Sequence, residues 1–196
     1  MKYYQENAKQ YAGSTFNQEF ADAVFSGFED FLILNQMNQP LLDIGCGSGR
    51  DALNLIKKGY SVDAFDQSEE MIKEAKSLTQ LNNVFNVGSA QEFKSEKTYS
   101  FAYSIACLLH LNDKEFLLAI ENIFKHINCG GHFYFTLKKG EGQEIDSNGR
   151  FFNYYTNEKI CAIFKKLNLN VIDISENQDV SRPDTTWLNI LIEKPL

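Results

Sequence analysis

Residues 41 to 50, LLDIGCGSGR, constrain the fold of this chain more than any other stretch. Leu41, Leu42, Asp43 and Ile44 read as a short, mostly apolar strand of the kind buried in a parallel sheet. Gly45, Gly47 and Gly49 then make a turn in which backbone can approach a ligand with no Cβ in the way. Arg50 to Lys58 read as a helix with Ala52, Leu53, Leu55 and Ile56 on one side. Lys57 and Lys58 close its last turn and Gly59 caps it, which suits the helix dipole and a left-handed C′ position. A strand, a glycine turn and a helix N-terminus therefore meet at one point. Free backbone N–H groups there are expected to hold polar or anionic parts of a nucleotide-like ligand. A tight strand-to-helix turn with no ligand would have the same look in isolation.

Composition narrows the classes. A chain of 196 residues with 43% apolar content is expected to form one domain with a full core. A net charge of −7 and a pI near 5.0 leave no basic excess to neutralise phosphates. Neither nucleic acid nor an anionic membrane surface is therefore expected as a partner. Cys46, Cys107, Cys129 and Cys161 are scattered without a C-x-x-C pair, which speaks against a disulfide framework or zinc site and for a reducing cytoplasm. Three dispersed His and no H-E-x-x-H give no metal set. The start, MKYYQENAKQ, is too polar for a signal peptide, and no apolar run approaches a membrane span. A soluble monomer or homodimer is the expected state.

Along the chain, residues 3 to 37 are expected to be helical, forming a cap (1–37) on a core at 40–196. Phe16, Phe20, Val24, Phe28, Phe31 and Leu32 recur at helical spacing, and Gly13 is expected to separate that long helix from a first segment bearing Tyr3, Tyr4, Asn7 and Tyr11. After the glycine turn, Ser61 to Phe65 is β-prone and Asp66 stands at its carboxyl end, 21 residues after Gly45. An acidic residue there is placed to take ribose hydroxyls, though a turn could use one too. Ser68 caps a helix with Glu69 and Glu70 in its first turn and Met71, Ile72, Ala75 and Leu78 on its apolar side. Val84 to Val87 and Tyr99 to Cys107 are the third and fourth strands. Asn112 and Glu115 form a capping box for a helix whose buried face runs from Phe116 to Ile127. Gly130 and Gly131 end it, and His132 to Leu137 is a fifth strand. Lys138 to Asn153, with three glycines, reads as a long loop of the lid or binding type. Thr156 starts a further helix, Asn170 to Ser175 is a sixth strand and Trp187 to Ile192 a seventh. Strand–helix alternation predicts a parallel sheet with helices on both faces. The link from Glu176 to Thr186 is too short and polar for a crossover helix, so the final strand should run antiparallel.

The spacing D-x-G-x-G-x-G departs from the dinucleotide fingerprint G-x-G-x-x-G: the third glycine comes one position early and Arg50 stands where that motif wants it. Instead the stretch resembles the first motif of the class I S-adenosylmethionine-dependent methyltransferases. The resemblance runs from about residue 40 to the end and implies a Rossmann-like α/β fold, a seven-stranded sheet of order 3-2-1-4-5-7-6. The string GCGSGRDA, and GRFFNYYT paired with DTTWLN, is similar to small bacterial members grouped with tellurite-resistance methyltransferases.

What the resemblance implies for the site is specific. Asp43, Gly45, Gly47 and Gly49 match the motif at the methionine end of the cofactor, S-adenosyl-L-methionine; Asp66 matches the ribose ligand, with Gln67 beside the adenine and Ser89 and Ala90 at its edge. Ser89 replaces an Asp common in the family, and its hydroxyl is an acceptor of the same kind. Tyr11, Arg50 and Ser104 are placed with the cofactor set. Methyl transfer to a small-molecule acceptor by in-line displacement needs nucleophile and methyl group held in line and water excluded, so no metal or fixed triad is required. A hydroxyl or amine acceptor needs a base, for which His110 at the end of the fourth strand is placed; a hydrogen-bonded His in a capping turn is the plainer reading. Tyr4, Lys138, Arg150, Tyr154, Arg182 and Trp187 are expected to roof an acceptor pocket suited to negative charge. The same residues are open to a cofactor-binding regulator without turnover, or to a Rossmann-type NAD(P) oxidoreductase.

Overall fold

Strand β1 (Leu41–Ile44) is buried along its whole length and pairs in parallel with β2 (Val62–Asp66) on one side and β4 (Tyr99–Ser104) on the other. The structure, a computed structural model, describes all residues but 1, 18, 20–25, 36–39 and 180. Because side chains alternate along a strand, β1 serves two cores at once. Leu41 joins Leu55, Ile72, Phe85 and Phe101 on one face; Leu42 and Ile44 join Phe116, Ile120, Phe133 and Phe135 on the other. An apolar strand with no exposed side fits the two-sided cover of a parallel sheet.

The main sheet has seven strands in the order β3-β2-β1-β4-β5-β9-β8, with β3 at Phe85–Val87, β5 at Ile127–Lys138, β8 at Asn170–Gln178 and β9 at Thr186–Glu193. This is the expected 3-2-1-4-5-7-6 pattern. As the short polar link requires, β9 runs antiparallel to both β5 and β8. Helices α3 (Glu29–Leu34), α4 (Arg50–Lys57) and α5 (Glu69–Thr79) cover one face, and α6 (Asp113–Lys125) and α7 (Asn157–Lys166) the other. Three caps are those expected: the Ser68 hydroxyl accepts from Met71 N at 3.2 Å, Asn112 and Glu115 form the reciprocal box, and the Thr156 hydroxyl accepts from Lys159 N. Among the described residues no helix is long and apolar enough to cross a membrane.

Four local expectations differ. The first 17 residues hold two short helices, α1 (Lys2–Glu6) and α2 (Ala8–Thr15), and Gly13 lies inside α2 rather than separating two segments. Phe20 and Val24 of the expected stripe lie outside the described residues, while Phe28 and Leu32 are buried. Ile127 opens β5 instead of ending α6, because the strand continues past Gly130 and Gly131 through a register shift opposite Tyr99 and Phe101. Leu78 is 41% exposed, its core place on α5 taken by Thr79, whose hydroxyl donates to Ala75 O. The stretch 138–153 is not a structureless loop: β6 (Gln143–Ile145) and β7 (Phe151–Asn153) form an antiparallel hairpin over the carboxyl ends of the sheet. Its turn is closed by Asp146, whose side chain accepts from Asn148 N and Arg150 N.

Candidate active site

The glycine turn differs from the expected anion cradle. Gly45 N and Cys46 N both donate to Phe65 O, Gly47 N donates to Asp66 Oδ2 at 3.0 Å and Gly49 N to Cys46 O. These N–H groups are committed within the protein. The glycines instead supply positive φ and close approach. A Cβ on Gly45 would strike Cys107, lying 2.6 Å from its Cβ, so β1 and the end of β4 meet there only without a side chain. Gly49 (φ +76°) caps α4 and faces Phe85 and Ala75, which makes it a packing residue rather than a ligand-facing one.

A shallow cleft, partly open to solvent, lies at the carboxyl ends of β1 to β4. Gly45, Asp66, Gln67, Ser89, Ala90 and His110 line it, as the sequence predicts for those positions, together with Ile44, Phe65, Gln91, Cys107 and Leu108. Asp66 is 8% exposed, and its two oxygens accept from Gly47 N and Ser68 N. Burial raises its pKa while those two N–H groups oppose the rise. Each oxygen keeps a lone pair for a further donor. Gln91 is a residue the sequence reading missed. Its Oε1 is buried with no hydrogen-bond partner among the described residues, two positions after Ser89. A polar side chain just past a strand-end turn was the available signal.

Behind the glycine turn, Asp43 is 3% exposed and its Oδ2 also has no partner. The Tyr103 hydroxyl lies alongside without forming a hydrogen bond of good geometry. Burial and then the nearby Asp51 carboxylate hold the Asp43 pKa well above its usual value. An unsatisfied buried carboxyl of this kind is an acceptor in want of a donor.

Beyond His110, outside the cleft lining, the surroundings are cationic. His110 sits in a 3-10 turn (Leu108–His110) and its Nδ1 is 2.7 Å from Phe151 O. A carbonyl can only accept, so Nδ1 carries the proton and Nε2 a lone pair. The Tyr4 hydroxyl, 2.8 Å from Nε2, is therefore the donor. Burial, with Arg150 and Lys138 adding to it against the Phe151 bond, pushes the His110 pKa down to about 4. Tyr4 meets Tyr3 and Tyr11 edge-on, with centroids 5.3 and 5.1 Å away. Arg150 lies over Tyr3 and Phe152 while its Nε and Nη2 bond Asp146. Lys138 Nζ stands 3.9 Å above the Phe152 ring and makes no ion pair among the described residues. Its pKa is lowered by burial and by the charges of Arg182 and Arg150.

Several predicted residues have other employment. Arg50 forks onto Asp51 and donates to Thr15 O, tying α2 to α4. Ser104 is fully buried and donates to Ile44 O, joining β4 to β1. The Tyr154 hydroxyl donates to Glu144 within the hairpin. Arg182 and Trp187 both donate to Asp179, a buried carboxylate that also receives Ser181 and so organises the β8–β9 turn. Tyr11 does not line the cleft but packs on Tyr4, within reach of the Arg50, Arg150 and Arg182 charges. Asp43, Gly47 and Gly49 stand behind the cleft wall. Among the described residues no cluster suits a metal ion.

Comparison with known proteins bears on this geometry. A family model described as a methyltransferase domain matches residues 41–131, from β1 into β5. Over this stretch the chain is similar to the class I S-adenosylmethionine-dependent methyltransferases. Among curated members, the probable S-adenosyl-L-methionine-dependent methyltransferase TehB of Haemophilus influenzae is 27% identical over 140 residues, covering 60% of this chain and 48% of TehB. A ubiquinone biosynthesis O-methyltransferase of Rickettsia akari is 33% identical over 95 residues, 46% of this chain and 37% of that protein. The chain thus spans about half or less of the curated relatives it matches. The solved structure of 1,6-didemethyltoxoflavin-N1-methyltransferase from Burkholderia thailandensis shares the fold with a TM-score of 0.75 at 16% identity, over 96% of this chain and 87% of that one. TehB from Haemophilus influenzae gives 0.68 at 20% identity, over 86% and 62%. The antiparallel β9 of this methyltransferase fold separates it from the dinucleotide-binding oxidoreductases.

The family's cofactor suits the donor set of this cleft. The unsatisfied Gln91 oxygen and the open lone pairs of Asp66, both on the cleft wall, call for a ligand rich in N–H and O–H donors.

Proposed function

We propose that this chain transfers the methyl group of S-adenosylmethionine to a small-molecule acceptor bearing negative charge, in the cytoplasm and without a nucleic-acid or membrane partner. The observation that carries the reading is the polarity around one cleft: the buried Asp66 carboxylate lines it, and the Lys138 and Arg150 charges lie beyond His110 on its far wall. When bound, S-adenosylmethionine supplies a methyl group on a sulfonium sulfur, so its displacement leaves a neutral thioether. Asp66 and Gln67 would hold the ribose and Ser89 and Gln91 the adenine edge, with Asp43 behind the glycine turn at the methionine end. Lys138 and Arg150, with Arg182 behind them, would hold the acceptor's charge. His110, neutral at physiological pH, is available to take a proton from a hydroxyl or amine. Residues 1–37 form the cap and residues 40–196 the catalytic core in this reading. Orientation and exclusion of water supply up to about 7–11 kcal/mol of the acceleration.

Calorimetry tests the reading: S-adenosylmethionine and its demethylated product should bind at least tenfold more tightly than NAD. NAD bound equally well would overturn it. Saturable cofactor binding with no turnover on a panel of small anionic hydroxyl and amine compounds would make the chain a binding regulator instead.

A further inference from the structure

Tyr4 is the aromatic residue of α1 whose hydroxyl bonds a residue of the cleft wall, His110. Its ring contacts to Tyr3, Tyr11 and His110 would serve a phenylalanine equally well. What the hydroxyl adds is a hydrogen bond donated to the lone pair of His110 Nε2 at 2.8 Å, with the Arg150 guanidinium and the Tyr11 hydroxyl close by. The orientation of that bond is fixed from the far side of the ring, because Phe151 O at 2.7 Å holds the proton on Nδ1. Among the described residues, His110 thus presents its basic nitrogen to Tyr4, although the ring lines the cleft. α1 itself is anchored: Gln5 Oε1 accepts from the Ser68 hydroxyl at the start of α5, and Arg150 lies over the neighbouring Tyr3.

We propose that Tyr4 is a catalytic proton relay between a hydroxyl acceptor and His110, so that the acceptor site is complete only with α1 docked. The inference rests on the methyl-transfer reading above and deepens it by naming the acceptor class: a small molecule with a dissociable O–H. The acceptor's proton passes to the Tyr4 oxygen as the Tyr4 proton passes to His110 Nε2. Tyr4 ends neutral and His110 ends as imidazolium. The O–H electron pair stays on the acceptor oxygen, which bonds the methyl carbon as that carbon's bond to sulfur breaks and its pair stays on sulfur. Charge balance favours the sequence. Lys138, Arg150 and the N-terminal amine, cations near His110, oppose its protonation in the free protein, and a forming oxyanion beside Lys138 and Arg150 relieves that opposition. Tyr11, the third group packed on Tyr4, is neutral, and burial raises its pKa.

The probe for the test is 4-nitrocatechol, whose neutral and ionised forms absorb at different wavelengths. It is added to the full chain saturated with S-adenosylhomocysteine, about one pH unit below the probe's own pKa, where the free compound is mostly protonated. The relay predicts that bound probe is at least tenfold enriched in the ionised form. Tyr4→Phe, with its unfolding transition checked, should return the bound probe to the neutral form, and His110→Gln should match it. Equal ionisation in the parent protein and Tyr4→Phe assigns the effect to the cations alone and overturns the relay. A probe that binds in neutral form to all three, or perturbs none of their spectra, overturns it as well. In each case retained S-adenosylhomocysteine binding leaves the cofactor reading standing, whereas loss of that binding in the parent protein is the failure of the methyltransferase proposal itself.

Discussion

Replacing Gly49 with alanine separates the two roles a glycine in this turn can have. The position holds φ +76°, which costs an L-residue about 1–2 kcal/mol. The added Cβ would lie 2.5 Å from Phe85 Cζ, 2.8 Å from Phe85 Cε1 and 3.2 Å from Ala75 Cβ. Phe85 is 1% exposed and Ala75 fully buried, so neither can move into solvent. Overpacking of this kind costs about 1–3 kcal/mol. The two effects sum to about 2–5 kcal/mol, or a melting temperature lower by about 4–20 °C in a chain of this size. Thermal and urea unfolding read it directly. In a Phe85→Leu background the offending ring atoms are gone while the backbone strain stays, so the penalty of Gly49→Ala should shrink by about 1–3 kcal/mol, measured as a double-mutant coupling. An alanine variant that melts within about 2 °C of the parent yet loses S-adenosylhomocysteine affinity would refute the packing assignment and return Gly49 to the ligand set.

Other consequences are more direct. Asp66→Ala should weaken S-adenosylhomocysteine binding by about 1–3 kcal/mol in calorimetry, the loss of charge-assisted acceptors. Because the folded state holds His110 near pKa 4 against a usual 6.5, the unfolded chain binds more protons between those values. Stability should therefore fall as pH drops through that window, by up to about 3 kcal/mol, and His110→Gln should flatten this part of the melting profile. Hydrogen exchange should slow in residues 2–15 and 143–153 on S-adenosylhomocysteine binding; unchanged rates in both would remove them as a lid. With a net charge of −7, no gel shift of RNA or DNA is expected at physiological salt; submicromolar binding with a steep salt slope would contradict this.

The sheet was legible because its signals are short-range. LLDI carries no polar outward face, three helices carry explicit caps, and the polar link before Thr186 leaves room only for a reversal. The cleft wall was legible for the same reason: Asp66, Ser89 and His110 stand at strand ends that periodicity locates. What sequence could not weigh was competition for the same polar atoms. Arg50 is the natural anion ligand at a helix start, yet Asp51 beside it and Thr15 O across the fold claim its guanidinium. Arg182 and Trp187 read as binding residues because the buried carboxylate that gathers them, Asp179, looked like an ordinary turn Asp. The hairpin at 143–153 was hidden by three-residue strands that show too little alternation to register. At the N-terminus, Ala8 and Ala12 rather than large residues face the core, and small apolar side chains leave almost no periodic signal.

The placement of β9 has a consequence for how the protein is made. The strand lies between β5 and β8 and is buried for most of its length, yet it begins 48 residues after β5 ends. A ribosome adding about 5–20 residues per second needs roughly 2–10 s to cross that interval. Throughout it, β5 presents an unpaired edge bearing Phe133, Phe135 and Leu137, and β8 has no strand to pair with. Such an edge is a template for other nascent chains. The outward side of β8, with Asp173 and Glu176 exposed, repels that pairing once the sheet is complete. The nascent chain has no such protection until Thr186–Glu193 emerges, so its exposure to aggregation belongs to synthesis rather than to the folded state.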